Sequence, residues 1–111
     1  MPESPHCSQI AALNDAFRTS FKGGLVVVTS GIQALPNEVQ VEILLAVRAF
    51  NDFSPANDPY GEHDFGSLTV RGHRVFFKID YYDLEMQFHS DNAADPRVTN
   101  RVLTVMLASE H

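Results

Sequence analysis

Apolar residues in the first half of the chain recur at intervals that predict a helix, a strand and a second helix. The first helix begins near Ser8, a residue type that caps helices, and carries Ile10 and Phe17 on one face. A short β-branched run at residues 25–29 predicts a strand that is buried on both faces and therefore lies inside the sheet. Residues 36–50 begin with proline and repeat valine or isoleucine about one turn apart, which predicts a second helix central to the core.

Apolar and polar positions alternate in the next part of the chain, a pattern typical of half-buried strands. Leu68 and Val70 precede a turn at Gly72, and residues 74–82 continue the alternation, so we expect a hairpin. Residues 84–88 repeat the pattern once more. They predict the third strand of an antiparallel meander.

The last segment is predicted to be a helix, because Asp95 has the form of a cap, Pro96 suits the first turn, and Val98, Val102 and Met106 recur at helical spacing. The element order is then α-β-α-β-β-β-α. This order predicts an α+β fold in which an antiparallel sheet, a three-strand meander plus the N-terminal strand, is packed by three helices. The residues expected to be buried together are Val27, Ile43, Val47, Phe77, Ile79, Val102 and Met106.

Length and composition indicate one domain. The chain has 111 residues, of which 44% are hydrophobic and 20% charged, as in ordinary globular proteins. We expect residues 1–7 to form a flexible N-terminal arm and residues 8–111 a single α+β domain. Cys7 is the only cysteine, which excludes an intramolecular disulfide and a cysteine-based structural zinc site. With no signal-like or membrane-spanning apolar run, the chain is expected to be cytoplasmic and to need no cofactor.

The charge balance bears on the class of partner. The net charge is −6, with eight basic residues scattered along the chain. General nucleic-acid binding takes its affinity from clustered lysine and arginine, and the sequence has no such cluster. The composition therefore favours a protein partner with a basic surface, and neither nucleic acid in general nor a membrane.

Residues 57–66 hold the densest polar cluster, placed just before a predicted strand. His63 is a candidate general base or metal ligand, and Glu62 and Asp64 are further catalytic candidates. A structural interpretation competes, in which aspartates cap turns and Gly61 supplies a positive φ angle. Residues 80–83 form a second cluster that faces the first if the meander folds back across it. The binding residues predicted from both clusters are Asp58, Tyr60, Glu62, His63, Asp64, Asp80, Tyr82 and Asp83, with no metal-ligand motif among them.

Three segments, Asp58–Gly66, Lys78–Asp83 and Arg101–Ala108, resemble an uncharacterised bacterial family, the domain of unknown function DUF3768. The family is found mainly in alphaproteobacteria and often on plasmids or other mobile elements, and the resemblance runs from about Ile10 to the C-terminus. It implies a fold shared by small stand-alone proteins and carries over no activity, cofactor or catalytic residue. An accessory-gene setting favours a protein that binds host or defence machinery, including inhibitors of the anti-CRISPR kind.

Two functional hypotheses follow. The first is a small acidic non-enzymatic binding or regulatory protein from an accessory or mobile genetic element, because standard catalytic motifs are missing from the sequence. The second is a small hydrolase or nuclease-like enzyme that uses the loop at residues 58–64, with His63 as general base or metal ligand.

Overall fold

The computed structural model of the protein describes residues 5–111, in which helices pack on one face of a four-stranded sheet. The elements in chain order are α1 (Pro5–Ser20), β1 (Gly24–Val28), α2 (Ser30–Gln33), α3 (Asn37–Ala49), β2 (Phe65–Val70), β3 (His73–Tyr82), β4 (Asn100–Leu107) and a 3₁₀ turn (Ala108–Glu110). The mixed α+β class is as expected. Of the predicted arm, residues 1–4 lie outside the described residues, whereas residues 5–7 belong to α1.

The sheet is mixed, with the strand order β1-β4-β3-β2. The pairs β2–β3 and β3–β4 are antiparallel, but β1 runs parallel to β4. The prediction of a purely antiparallel sheet is therefore wrong. The interior position predicted for the strand at residues 25–29 is also wrong, because β1 is an edge strand and β4 takes the central place beside it.

The hairpin of β2 and β3 is confirmed. Its two-residue turn places Arg71 at φ 48° and Gly72 at φ 80°. Two successive positive φ angles give the backbone twist that joins antiparallel strands most closely, and the turn sets the register from Val70↔His73 to Phe65↔Lys78. This register brings the loop before β2 alongside the second half of β3.

Two predicted elements in the C-terminal third are wrong. The predicted last helix is mostly β4, because residues 101–107 form a near-continuous apolar run that suits a strand between two neighbours, and helical spacing alone cannot exclude this. The predicted strand at residues 84–88 is a loop. In it Met86 has a φ of 59°, and the Asp83 carboxylate accepts a hydrogen bond from the Gln87 N–H at 3.0 Å, which closes a turn.

The core lies between the helices and the sheet. It is formed by α1, α2 and α3 on one side and β3 and β4 on the other, through Ile10, Phe17, Ile32, Val39, Ile43, Val47, Val75, Phe77, Ile79, Tyr81, Leu103 and Val105. Four of the seven residues expected to share a core do so. Val102 and Met106 are buried on the opposite face of β4, since they alternate with Leu103 and Val105, and Val27 is 38% exposed. Within residues 5–111 no helix combines the length and apolar character needed to cross a bilayer.

The core assignment predicts contrasting effects for two substitutions on the same helix. Ile43→Ala should lower the free energy of unfolding by about 2–5 kcal/mol, because Ile43 is fully buried and the substitution leaves a cavity. Leu45→Ala should change it by less than about 0.5 kcal/mol, because Leu45 is 56% exposed. Urea unfolding of both variants measures the difference, and equal effects would contradict the packing of α3.

Candidate functional site

The loop between α3 and β2 carries most of the predicted site residues, and hydrogen bonds close it into tight turns. The Asp58 N–H donates to the Ser54 carbonyl at 2.7 Å, and the Gly61 N–H donates to the Asp58 carbonyl at 3.1 Å. Gly61 and His63 both have positive φ angles, 67° and 57°. A histidine in this region is uncommon, so contacts elsewhere must hold it there.

Those contacts place the His63 ring between two carboxylates. Its Nδ1 lies 2.9 Å from Asp15 Oδ2 on α1, and its Nε2 lies 3.7 Å from Asp58 Oδ2. The His63 backbone N–H also donates to the Asp58 carboxylate at 3.2 Å. On its face, the ring stacks on Phe53 with 4.0 Å between centroids and 3° between planes. His63 thereby joins the loop to α1.

Arg18 extends this connection to the end of α3. Its Nη2 donates to Asp15 at 3.1 Å, and its Nη1 donates to the carbonyls of Val47 at 2.9 Å and Arg48 at 3.2 Å. The last carbonyls of a helix have no partner within the helix, so a cation in this position both satisfies and stabilises them. The buried guanidinium also lies over the Phe53 ring, 5.4 Å from its centroid.

A second connection runs through the fully buried side chain of Asn14 on α1. Asn14 Nδ2 donates to the Glu62 carbonyl at 2.9 Å and to the Tyr81 hydroxyl oxygen at 2.8 Å, and Arg101 Nε donates to Asn14 Oδ1 at 2.8 Å. The Tyr81 hydroxyl in turn donates to Glu62 Oε1 at 3.0 Å, and Arg101 Nη2 donates to the Ala93 carbonyl. Burial, the largest effect, raises the pKa of the Tyr81 hydroxyl, so it remains a donor.

Three carboxylates of the loop, those of Asp58, Glu62 and Asp64, lie at the end of this network, and we call them the acidic cluster. Burial, followed by the charge of Glu62, raises the pKa of the Asp64 carboxyl, and the charges of Asp58 and Asp80 add to the effect. Asp80 has a basic neighbour, Lys78, at 3.4 Å. Glu62 and Asp64 take part in none of the ion pairs found within residues 5–111.

The structure brings together four of the eight predicted binding residues, the acidic cluster and His63. Asp80 lies on β3 with its side chain on the opposite face of the sheet from Tyr81, since successive residues of a strand alternate. Tyr60 projects from the same loop with 73% of its surface exposed. The other two have structural roles. Tyr82 pairs with Asn100 in the sheet, and the Asp83 carboxylate closes the turn of residues 83–88. Among residues 5–111, no group of three histidine, cysteine, aspartate or glutamate side chains is arranged to hold a metal ion.

Sequence reasoning missed the α1 side of the site. Asn14, Asp15 and Arg18 hold the loop, and Arg101 reaches it from β4. Their spacing in the sequence could have indicated this role. Asn14 and Arg18 lie one and two turns after Ile10 on the apolar stripe of the helix. A polar residue buried there requires a partner. The partner itself could not be inferred, because Arg101 was assigned to a helix.

A small cavity lies beside the His63 ring. Its volume is about 170 Å³, and Phe53, Ser54 and the turn that contains Asp58 and Gly61 form its walls. Sites for drug-sized ligands usually measure about 300–1,000 Å³, so this cavity suits at most a small group.

The fold and the site define a small two-layer α+β protein. In it, contacts with α1 hold the acidic residues of the loop at positions 58–64. A sequence profile for the family described as "Protein of unknown function (DUF3768)" matches residues 28–110, which is most of the chain, so the chain belongs to this family. The match includes the loop, β2, β3 and β4 but not α1. Neither the curated proteins nor the solved structures yielded a significant match.

The Asn14 network predicts that truncation of this one side chain lowers the stability of the fold markedly. Asn14→Ala should lower the free energy of unfolding by about 2–4 kcal/mol, because it leaves the buried Arg101 Nε and the Glu62 carbonyl without partners. Asn51→Ala, which truncates the same side chain at an exposed position, should cost less than about 0.5 kcal/mol. Chemical unfolding compares the two, and a tolerated Asn14→Ala would show that the network contributes little.

The raised pKa of the Asp64 carboxyl predicts that the stability of the fold depends on pH. The folded-state pKa lies above the ordinary value of 3.8, so the native state holds the proton more tightly and stability falls as pH rises through that range. At pH 7 the ionised carboxylate is therefore destabilising, and Asp64→Asn should raise the melting temperature. The gain should vanish below pH 3.8, where Asp64 is protonated in both states.

Thermal melts at both pH values test this, with Asp91→Asn as the control. Asp91 is exposed, and its substitution removes the same unit of net charge. A gain at pH 7 that is equally large in Asp91→Asn would assign the effect to overall charge, and a loss in Asp64→Asn would contradict the crowding argument.

Proposed function

We propose that the protein is a small acidic, non-enzymatic binding or regulatory protein that recognises a basic protein surface through Glu62, Asp64 and Tyr60. The observation that carries this proposal is the placement of Glu62 and Asp64. Their carboxylates lie together on a half-buried surface, and neither has an ion-pair partner within residues 5–111. Arg101 interacts electrostatically with Glu62 from within the network, and a basic partner adds positive charge at the surface.

The energetics favour a binding role for these carboxylates. Crowded like charges lower the stability of the folded chain, and neutral residues of the same shape would avoid the penalty. The same concentrated negative charge attracts a lysine or arginine of an approaching partner. This attraction accelerates association and disfavours acidic partners. The proposal thus accounts for an arrangement that folding alone disfavours.

Tyr60 supplies an apolar contact beside these charges. Exposed aromatic side chains are enriched among the residues that dominate protein interfaces, because a ring buries a large area and loses few rotamers. Hydrogen bonds to α1 hold the loop directly after its last turn, through the Glu62 carbonyl and the His63 ring. A loop already held in place loses less entropy on binding than a flexible one.

The setting implied by the family resemblance, a cytoplasmic protein of bacterial accessory or mobile elements, suggests which partners to test first. We propose host or defence machinery with a basic surface, which the protein would occupy as an inhibitor. Nucleases that bind nucleic acid in basic grooves have this character, since phosphate recognition requires clustered lysine and arginine.

Affinity capture tests the proposal. The tagged wild-type chain is expected to retain a basic protein from host lysate at low salt. The purified partner should then bind the double variant Glu62→Gln, Asp64→Asn at least about tenfold more weakly than the wild type, because charge pairs are lost. Tyr60→Ala should weaken binding to a similar degree. The control combines Glu85→Gln and Asp91→Asn, which changes the net charge equally at two exposed positions. Equal binding by all variants would refute the proposed surface.

A hydrolase or nuclease-like activity is a second candidate, favoured by the Asp15–His63 pair. A carboxylate on Nδ1 is how a general-base histidine is oriented, and the ring borders a cavity that includes Ser54. The hydrogen bond of the ring goes to Asp15, however, and not to Ser54. Turnover of ester or single-stranded nucleic-acid substrates that is lost in both His63→Gln and Asp15→Asn would establish this candidate, whereas turnover retained by both variants would reject it.

A further inference from the structure

The edge strand β1 has an unusually apolar exposed surface. Strand edges are normally protected by charged residues, proline or a covering element, because their free N–H and C=O groups pair readily with another strand. Gly24–Val28 contains no charged residue and no proline. Leu25 is 55% exposed and Val27 38% exposed, on the face of the sheet away from the helices.

The backbone of β1 shows which groups face outwards. The Thr29 N–H donates to the Val105 carbonyl of β4 at 3.1 Å, so odd-numbered residues face β4 and even-numbered residues face the open edge, since successive residues of a strand alternate. At the far end of the strand, Gln33 Nε2 already donates to the outward Val28 carbonyl at 2.6 Å. Val26 is the central residue with outward pairing groups.

The opposite edge of the sheet, β2, lacks this character. Its apolar residues Phe65, Leu68 and Val70 are all half-buried, and α3 packs against the strand. The two edges therefore differ in exposed apolar side chains, which are present on β1 and absent from β2 within the described residues.

We propose that β1 pairs antiparallel with β1 of a second copy of this chain, joining the two sheets into one. The register that overlaps the whole strand places Val26 opposite Val26 of the second copy, and both residues have outward N–H and C=O groups, as such a pair requires. The same register places Leu25 beside Val27 of the second copy on the open face. Each chain then buries the two most exposed side chains of its strand.

The charges that flank β1 favour a second copy over an unrelated strand. The exposed Lys22 precedes the strand. Beyond its other end, Glu110 is held by the Thr29 hydroxyl at 2.7 Å and the Gly31 N–H at 2.9 Å. Antiparallel pairing about Val26 brings Lys22 of each copy towards Glu110 of the other, so the contact contains two opposite-charge pairs although each chain has a net charge of −6.

Sedimentation equilibrium over a concentration series tests the pairing. The average mass of the wild-type chain should rise from 12.4 kDa towards twice that value. Leu25→Lys should remain at the monomer mass, because it brings a charge into the paired strands. Leu45→Lys is the matched control, since it has the same chemistry at an equally exposed site on α3 and should dimerise like the wild type. A wild-type chain that stays monomeric at every concentration overturns the proposal.

Two further measurements separate strand pairing from other contacts. Lys22→Glu should weaken the dimer at least about tenfold, because two charge pairs are lost. Arg74→Glu on β3 changes the net charge by the same amount and should leave the dimer intact. Amide hydrogen exchange at Val26 should slow as the concentration rises, because its N–H becomes hydrogen-bonded. A dimer in which Val26 exchange does not change, or one that Leu25→Lys leaves intact, overturns the edge pairing and indicates contact between the open faces or elsewhere.

Discussion

The hydrogen bonds of the Asn14 side chain are the interaction on which the site depends. One fully buried amide joins α1, the loop before β2, β3 and β4, through Glu62, Tyr81 and Arg101. Each partner is a polar group that burial would penalise if it were left alone, so the groups are stable only together. Without this amide, the buried Arg101 guanidinium would lose its Nε acceptor, and the Glu62 carbonyl, which fixes the loop, would lose its donor.

The same constraint explains how a loop can keep a conformation that is locally unfavourable. The positive φ of His63 and the crowded charge on Asp64 both raise the energy of the folded state. Contacts outside the loop, from Asn14 to the Glu62 carbonyl and from Asp15 to the His63 ring, offset that energy. Unfavourable local features that distant contacts maintain are typical of functional sites, and here they follow the exposed Tyr60 in the same loop.

The sequence predicts the elements whose side chains keep one clear period, and it misassigns those that lack one. The stripe of Val39, Ile43 and Val47 defines α3, and the alternation around Gly72 defines the hairpin, because both depend on side-chain periodicity within one segment. Residues 101–107 were misassigned because a run buried on both faces of a sheet has no period of its own. The segment before β2 was predicted to be a loop, as the structure has it, but its partners on α1 are almost fifty residues away in sequence, and nothing in local spacing indicates that Asp15 faces His63.

Contacts with α1 are expected to make residues 58–64 a rigid surface. Backbone ¹⁵N relaxation of Asp58 and of residues 60–63 measures this most directly, since Pro59 has no N–H. Order parameters of about 0.85 are expected, equal to those of β3 and typical of rigid backbone. Values below about 0.6, which are typical of flexible segments, would contradict it, because neither the Asn14 network nor the His63 contacts would then hold the loop in solution.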